Sequence, residues 1–314
     1  MRAEASPICG VLDAIGNTPI IEFRRIVPHG SARVLAKLES ANPTGSMKDR
    51  MAKAVIEAAE SNGRLPPGAT VVEYTAGTTG ISLALACAAK QHPLEIVYSD
   101  AFSDEKRVTM KAFGAHITDV KSDQKRINEA LVKEMIRTAA EISRRPGHWW
   151  CDQLNNHDAI AGYVPLGNEI WEQTGGRIDA FVHAVSTAHS IHGVTQPLWT
   201  HNPRIEITAV EPSESAVLSG GPTGSHKIEG IGIGFIPPLW DPRMVNRIET
   251  VTTEDAKAMA RRLAAEEGIF AGTSTGANVV AALRVAARLG AGATVVTLVV
   301  DSGLRYVSTD VYRQ

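Results

Sequence analysis

From residue 70 onward, short runs rich in β-branched residues alternate with longer segments whose apolar residues recur at helical spacing. This alternation is typical of a parallel sheet covered by helices, because consecutive parallel strands must be joined by a crossover, usually a helix. We therefore expect an α/β fold. The predicted strands are Thr70–Tyr74, Glu95–Tyr98, His116–Val120, His148–Cys151, Ala180–Val185, Arg204–Val210, Arg247–Val251 and Thr294–Val300.

Three segments outside the predicted strands carry helical patterns, and one further segment is irregular. Ile81–Ala89 is apolar on nearly every side, which predicts a helix buried near the centre of its domain. Pro212–Pro238 is too long for an ordinary connection, and we expect a functional loop because it keeps Ile228, Ile231, Ile233 and Phe235. The other two helices show one apolar stripe each: Met51, Ala54, Val55, Ala58 and Ala59, and Ala256, Met259, Ala260, Leu263 and Ala264.

Composition excludes several classes of protein. The chain has 314 residues, enough for two domains, and its 32 basic and 34 acidic residues give no charge excess that would favour nucleic acid or an anionic membrane. Residues 180–203 lack Asp, Glu, Lys and Arg, but four histidines argue against a membrane span. Met1–Val11 has no apolar run typical of a secretory signal, and three widely spaced cysteines fit a reducing cytoplasm.

The segment Asn42–Arg50 is a turn followed at once by the first predicted helix, with Ser46 or Thr44 as its expected cap. This places Lys48 in the first turn, where the positive end of the helix dipole disfavours an ammonium and lowers its pKa. A lysine that is readily neutral suits imine chemistry. A solvated lysine at a helix start is the structural alternative, and this segment alone does not decide between them.

The segment Glu73–Gly80 joins a predicted strand to the buried helix. Its three threonine hydroxyls and two glycines precede a helix N-terminus, a combination that can bind a carboxylate or a phosphate. A helix-capping turn is the alternative. The segment lacks the glycine pattern of dinucleotide-binding folds, and Gly45–Lys48 lacks that of nucleoside triphosphatases.

The segment Ser186–Ser190 also lies between a predicted strand and a predicted helix, so its amides and hydroxyls can hold a second anion. His183, His189 and His192 raise a zinc alternative, but no further ligand can be placed and we expect no metal.

The segment Gly272–Gly276 matches the serine-nucleophile pattern of α/β-hydrolases. In those enzymes the histidine follows the serine, whereas all ten histidines here precede Ser274. A capping turn at a helix start is therefore the expected role of this segment when it is considered alone.

Taken in chain order, these segments resemble the pyridoxal-phosphate enzymes of the cysteine synthase and cystathionine β-synthase family, known as fold type II. The resemblance covers about residues 15–312 and is greatest to O-acetylserine sulfhydrylase-like proteins. Further matching stretches are Ile15–Pro19, Glu211–Pro212, Val217–Gly221, His226–Ile228, Gly230–Pro237, Asp301–Gly303, Arg305–Tyr306 and Ser308–Thr309.

The resemblance implies two α/β domains, each with a mostly parallel twisted sheet flanked by helices, and pyridoxal 5′-phosphate in the cleft between them. The smaller N-terminal domain would cover residues 1–150, with about residues 13–36 crossing to the other domain. The larger domain, residues 151–314, would bind the cofactor phosphate. Members of the family are commonly homodimers.

The resemblance also implies roles for individual residues. Lys48 would be the catalytic residue and form the Schiff base with the cofactor, Ser274 would face the pyridine nitrogen, and Thr78 would lie near the 3′-oxygen of the ring. The phosphate would be held by Ser186, Thr187, Ala188, His189 and Ser190. The substrate would be bound by Thr75, Ala76, Thr79 and Gln153, with the loop around Gly230 closing over it.

Three positions depart from the family pattern. Ala188 and His189 stand in a phosphate loop that is rich in glycine in cysteine synthases, and because a β-carbon disfavours positive φ we expect a reshaped loop. His189 either adds a positive partner to the phosphate or points to solvent. Thr78 stands where the family usually has an asparagine, so it keeps one hydrogen-bond donor but loses the reach of an amide, which leaves substrate choice open.

The function implied is a cytoplasmic β-replacement that makes cysteine from an activated serine and sulfide through an aminoacrylate intermediate. Its partners would be a small amino acid and a thiol or sulfide. β-Elimination, as in cysteine desulfhydrases or serine/threonine dehydratases, is the second interpretation, and a non-catalytic or regulatory cofactor-binding homologue is the third. An acetylated or plain serine is the favoured donor, because residues 212–238 contain no arginine to pair with phosphoserine.

Overall fold

The computed structural model of the protein describes residues 9–124 and 129–313, so most of Met1–Val11 lies outside the described residues. Within these ranges ten strands and nine α-helices are found. The strands are β1 (Ile20–Glu22), β2 (Arg33–Leu38), β3 (Thr70–Tyr74), β4 (Leu94–Ser99), β5 (His116–Val120), β6 (His148–Trp150), β7 (Ala180–Ala184), β8 (Glu206–Pro212), β9 (Arg247–Val251) and β10 (Thr294–Val299). The helices are α1 (Lys48–Ser61), α2 (Thr78–Lys90), α3 (Asp104–Ala112), α4 (Glu129–Ser143), α5 (Asp158–Ala161), α6 (Val164–Gln173), α7 (His189–His201), α8 (Thr253–Arg262) and α9 (Thr273–Leu289).

The strands form two sheets. One has six strands in the order β1-β2-β10-β7-β8-β9. Adjacent strands in this sheet are parallel, except that β1 and β2 are antiparallel. The other has four parallel strands in the order β5-β4-β3-β6. In the larger sheet Val296 of β10 is paired with Leu35 on one side and Phe181 on the other, so the centre of that sheet is apolar. The α/β fold expected from the alternation is confirmed.

All eight predicted strands are present, with ends that differ by at most two residues. The two strands that the sequence patterns did not predict, β1 and β2, both join the six-stranded sheet. β1 has only three residues, and β2 contains Lys37, which interrupts its apolar run. Lys37 is fully buried and its ammonium lies 2.6 Å from the carboxylate of Glu169, so a charge that looks solvent-exposed in the sequence belongs to the core.

The helices bury most of the residues in their predicted apolar stripes. Met51, Val55 and Ala59 of α1 are buried, whereas Ala54 and Ala58 are only partly buried. Every residue of α2 from Thr79 to Cys87 is buried, which confirms a buried helix over most of the predicted stretch, whereas Ala88 and Ala89 at its end are exposed. The residues that lead into α2 are therefore held by a rigid neighbour. In and just after α8 the buried residues include Ala256, Met259, Ala260 and Leu263.

Loops that follow β3 and β7 lie at the carboxyl ends of parallel strands, which is the edge where α/β sheets bind ligands. Each of these loops leads directly into a helix, α2 or α7. Among the described residues, no helix combines the length and the apolar character needed to cross a membrane.

Candidate active site

A cleft receives loops that follow strands of both sheets. Nine of the thirteen predicted site residues line it: Lys48, Thr75, Ala76, Thr78, Thr79, Gln153, Ser186, Thr187 and Gly230. Residues 223–234, in the middle of the irregular segment after β8, form another wall. The remaining four predicted residues, Ala188, His189, Ser190 and Ser274, are outside the cleft lining.

Lys48 is the first residue of α1, and its side chain reaches the cleft. It is half-buried, and loss of hydration lowers its pKa from 10.5 to about 8. The expected direction of the shift is confirmed, but its physical cause is burial. The alternative interpretation, in which Lys48 is a solvated lysine at a helix start, is therefore wrong.

The start of α1 differs in detail from the expected cap. Its N-cap residue is Met47, which makes no side-chain capping bond, while the Ser46 hydroxyl accepts a hydrogen bond from the Lys48 amide at 3.2 Å. Thr44 does not cap the helix, because its amide and hydroxyl donate to the Asp49 carboxylate at 2.7 and 2.5 Å. Asp49 also accepts a hydrogen bond from Ser82 of α2 at 2.6 Å, so it ties the lysine segment to the buried helix. Patterns in the sequence did not single out Asp49.

The loop Thr75–Thr79 folds around its own first hydroxyl. Thr75 Oγ1 accepts hydrogen bonds from the amides of Gly77 and Gly80 at 2.8 and 3.3 Å. Gly77 has φ of 124°, and an added β-carbon would overlap the stem of Lys106, so only glycine fits there. Thr78 then begins α2, whose first amides have no partner within the helix. This arrangement can bind a carboxylate with backbone amides.

Gln153 is held in place by the strands beside it. Its side chain donates to the Tyr74 carbonyl at 2.7 Å and accepts from the Thr79 hydroxyl at 3.0 Å. Its amide donates to Glu73, a carboxyl whose pKa is raised to about 8 because it is buried. Gln153 therefore fixes the shape of the Thr75–Thr79 loop as well as lining the cleft.

The segment Ser186–Ser190 connects β7 to α7. Ala188, the N-cap of α7, has φ of 69°, so an alanine adopts the left-handed conformation that glycine usually provides. The expected reshaping of the loop assumed that alanine avoids positive φ, and that assumption is wrong at this position. Ser190 donates to or accepts from His183 Nε2 at 2.8 Å.

One of the two alternatives considered for His189, that it points to solvent, is wrong. It is only 1% exposed, so it does not point to solvent. Before the cofactor binds, burial lowers its pKa to about 3, assisted by the nearby charge of Lys48, so the imidazole is neutral at neutral pH. Its Nδ1 lies 2.8 Å from the hydroxyl of Thr187. Among the described residues, no three His, Cys, Asp or Glu side chains form a group that could hold a metal ion.

Ser274 lies in the first turn of α9 and is 2% exposed. Its neighbours connect this helix start to the rest of the site. Thr275 Oγ1 accepts from the Val300 amide at 3.0 Å, and Asn278 accepts from the Ala184 amide at 2.7 Å. Thr273 Oγ1 accepts from the amide of Glu229 in the cleft wall at 3.2 Å. The N-cap of α9 is Gly272, and the segment makes no side-chain capping bond of the kind expected.

An ion pair between Lys106 and Glu229 also lines the cleft. Lys106 belongs to α3, and its side chain is 2% exposed. Its ammonium lies 4.6 Å from the ring centre of Tyr306. The pair joins residues 123 positions apart, so no local pattern in the sequence indicates it.

The family model described as "Pyridoxal-phosphate dependent enzyme" matches residues 11–301. The chain belongs to this family. It is 40% identical to a cysteine synthase from Staphylococcus aureus over 308 residues, which cover 98% of this chain and 97% of the relative. The crystal structure of a cysteine synthase from Entamoeba histolytica, 36% identical, matches with a TM-score of 0.91 over 98% of this chain and 92% of that chain.

A hydrogen sulfide-producing enzyme from Fusobacterium nucleatum is also similar, with 32% identity and a TM-score of 0.88 over 96% of this chain and 100% of that chain. Together these comparisons show a pyridoxal-phosphate-dependent enzyme of the cysteine synthase type with the fold type II architecture. The family resemblance read from the sequence motifs is confirmed.

The donor groups around the cleft fit this cofactor. An aldehyde requires a nearby neutral amine, and Lys48 supplies one in a cleft that lowers its pKa to about 8. A phosphate requires hydrogen-bond donors, and Ser186 and Thr187 line the cleft beside the N-terminus of α7. The positive φ of Ala188 lets the chain turn there from strand to helix.

Proposed function

We propose that this enzyme makes cysteine by β-replacement, exchanging the acetate of O-acetylserine for sulfide. The observation that carries the proposal is the position of Lys48. Its amine, with a pKa lowered to about 8, lines the same cleft as the Thr75–Thr79 loop, in a chain 40% identical to a cysteine synthase. A base and a carboxylate-binding loop facing one cleft are what removal of a proton next to a carboxylate requires.

Each group in the cleft then has a role. Bound pyridoxal phosphate supplies the electron sink that makes the proton on the substrate α-carbon acidic. Lys48 Nζ accepts that proton as a general base, which its lowered pKa allows near neutral pH. The amides at the start of α2, with Thr75, Ala76 and Thr79, bind the carboxylate and orient the α-proton toward the amine.

The remaining predicted residues hold the cofactor. Ser186 and Thr187 would donate their hydroxyls to its phosphate at the start of α7, where unpaired amides favour an anion. Ser274 would face the ring nitrogen with a neutral hydroxyl, and Thr78 would lie near the 3′-oxygen. A neutral partner leaves the ring a weaker electron sink than a carboxylate partner would.

Water must be excluded for replacement to prevail over elimination. Residues 223–234, which include Gly230, cover one side of the cleft. Gly230 has φ of 89°, a conformation that suits a bending point in this wall. We propose that this segment closes over the bound substrate and keeps water from the reacting carbon.

The charges in the cleft support an acetylated rather than a phosphorylated donor. Two cations lie in the wall: Lys227 is paired with Asp310, and Lys106 is paired with Glu229. A phosphate ester carries negative charge that needs an unpaired cation or a bidentate arginine. A neutral ester does not, so O-acetylserine suits a cleft in which these two cations are neutralised.

β-Elimination is the second candidate function, favoured by the likeness to the hydrogen sulfide-producing enzyme from Fusobacterium nucleatum. It would use the same base and the same carboxylate loop, but would end with loss of ammonia instead of addition of sulfide.

We also propose a cytoplasmic homodimer, and a division into residues 1–150 and 151–314 with residues 13–36 crossing over. The dimer rests on the family resemblance, and the crossing segment is supported by the place of β1 and β2 in the six-stranded sheet.

The proposal is tested by product analysis. The purified enzyme is supplied with O-acetylserine and sulfide in one reaction and with cysteine alone in another. We expect cysteine in the first and little hydrogen sulfide, keto acid or ammonia in the second. Rapid release of hydrogen sulfide from cysteine, with no cysteine made in the first reaction, would replace the proposal with the second candidate.

A further inference from the structure

His189 lies in the segment proposed to bind the cofactor phosphate, and its imidazole is buried and neutral before the cofactor binds. Its imidazole is 1% exposed, and its pKa of about 3 keeps it neutral. A neutral imidazole carries one proton, on Nδ1 or on Nε2. Which nitrogen holds the proton decides what its hydrogen-bond partner can do.

The two ring nitrogens have different surroundings. Nδ1 lies 2.8 Å from Thr187 Oγ1, and Nε2 is buried with no hydrogen-bond partner in the part of the chain that the structure describes. A proton on Nε2 would be a buried donor without a partner, which is the more costly arrangement. A proton on Nδ1 is donated to Thr187 and leaves Nε2 as an unpaired acceptor. The structure therefore favours the tautomer protonated on Nδ1.

This tautomer sets the direction of the Thr187 hydroxyl. A threonine hydroxyl has one proton and two lone pairs, and Thr187 lines the cleft. If the hydroxyl accepts from His189, its own proton stays available to a group in the cleft. If it donated to His189 instead, that proton would be used. A dianionic phosphate only accepts hydrogen bonds, so it needs the first arrangement.

We propose that His189 is a positioning residue that donates from Nδ1 to Thr187 and so directs the Thr187 hydroxyl proton toward the cofactor phosphate. The proposal rests on the proposed function, because it takes residues 186–190 as the phosphate site. It assigns the histidine a role different from either expectation, because it acts by orientation and not by charge.

Substitutions at position 189 offer a matched pair. The side-chain amide of asparagine places an N–H at about the position of Nδ1, whereas that of glutamine reaches the position of Nε2. We therefore expect His189→Asn to keep the hydrogen bond to Thr187 and His189→Gln to lose it. His189→Ala removes the ring, and Thr187→Val removes the hydroxyl that the ring is proposed to orient.

The test is the dissociation constant of pyridoxal phosphate from the full chain, followed by its visible absorption, with thermal unfolding to confirm that each variant folds. We expect His189→Ala and His189→Gln to weaken binding about five- to tenfold, as loss of one net hydrogen bond does, and His189→Asn to stay within about twofold. In the Thr187→Val background, His189→Ala should change the constant less than about twofold. Pyridoxal without its phosphate should bind all variants alike.

Two outcomes would overturn the inference while leaving the proposed function intact: equal loss of affinity for the asparagine and glutamine variants, or an undiminished effect of His189→Ala in the Thr187→Val background. A ¹⁵N NMR spectrum of histidine-labelled wild type gives a check that needs no variant to fold. A His189 protonated on Nδ1 supports the inference, and one protonated on Nε2 contradicts it. If wild type fails to bind pyridoxal phosphate at all, the proposed function fails as well.

Discussion

At the scale of single residues, Ala188 shows an alanine held in the left-handed conformation that glycine usually adopts. An L-residue in the left-handed region is strained by about 1 to 2 kcal/mol, and Ala188 has φ of 69°. Its side chain is 2% exposed, so its methyl group recovers part of that cost through burial. The surrounding packing, and not local preference, holds this conformation.

The strain at Ala188 can be measured by substitution. We expect Ala188→Gly to change the free energy of unfolding by less than about 1 kcal/mol, because relief of strain offsets the lost methyl and the greater entropy of the unfolded chain. The matched control is Ala281→Gly in α9, a buried alanine not among the positive-φ residues, which should cost about 1 to 2 kcal/mol. Urea unfolding measures both values. Equal losses at the two positions would show that Ala188 is not strained.

The buried neutral state of His189 predicts how stability depends on pH. Its pKa is about 3 in the folded protein and near 6.5 when unfolded, so between these values only the unfolded chain takes up the proton. Stability contributed at pH 7 is therefore lost as pH falls from about 6.5 toward 3, by about 1.4 kcal/mol per pH unit.

Urea unfolding of wild type and His189→Asn between pH 4 and 7 tests this slope. Below pH 6.5 the free energy of unfolding of the variant should fall less steeply than that of wild type, by about 1.4 kcal/mol per pH unit, which is the slope for one proton. Above pH 6.5 the two slopes should be equal. His29→Asn, at an exposed histidine, is the control and should follow the wild-type slope. Identical slopes for wild type and His189→Asn would mean that His189 is protonated in the folded protein.

At the scale of structural elements, the cleft is held by contacts between segments far apart in the chain. Arg305 donates to the carbonyls of Thr44 and Gly45 at 2.7 Å each, so the C-terminal segment holds the turn before the lysine. The ion pair of Lys106 and Glu229 joins α3 to the wall formed by residues 223–234. Both contacts lie beside groups that the proposed chemistry uses.

The Lys106–Glu229 pair predicts a change in donor preference. Glu229→Gln should leave Lys106 without a neutralising partner and raise the ratio of kcat/KM for O-phosphoserine to that for O-acetylserine about tenfold, because an unpaired cation attracts the phosphate. Glu254→Gln, whose side chain is 81% exposed, is the control and should leave the ratio unchanged. Steady-state assays with sulfide as the second substrate give both constants. An unchanged ratio in Glu229→Gln would show that the pair does not set donor preference.

At the scale of the whole molecule, the alternation of strands and helices was predictable because burial of a parallel sheet leaves long β-branched runs. The position of Lys48 was predictable too, since a turn and a helix start are local features. β2 was missed because Lys37 is polar in the sequence but lies in the core beside Glu169. The burial of His189 and the pairing of Lys106 were not predictable, since both depend on residues brought together only by folding.

The arrangement of the sheets explains where the reactive lysine lies. β2 belongs to the six-stranded sheet, and α1, which begins at Lys48, packs against α2 beside the four-stranded sheet. Lys48 thus stands where the chain passes from one sheet to the other. The loops after β3 and β7 meet it in the same cleft, so one amine lies within a site built from both halves of the fold.

Binding of the pyridoxal phosphate aldehyde by Lys48 is tested by the rate at which a new visible absorption band grows when the cofactor is added to cofactor-free protein. Only the neutral amine attacks an aldehyde, so the rate should rise about tenfold per pH unit below pH 8 and level off above it, following the pKa of about 8. Lys48→Ala should give no band beyond the absorption of the free cofactor, while Lys53→Ala in the same helix should match wild type. A new band of wild-type intensity in Lys48→Ala would contradict this role of Lys48, as would a wild type whose spectrum stays that of the free cofactor.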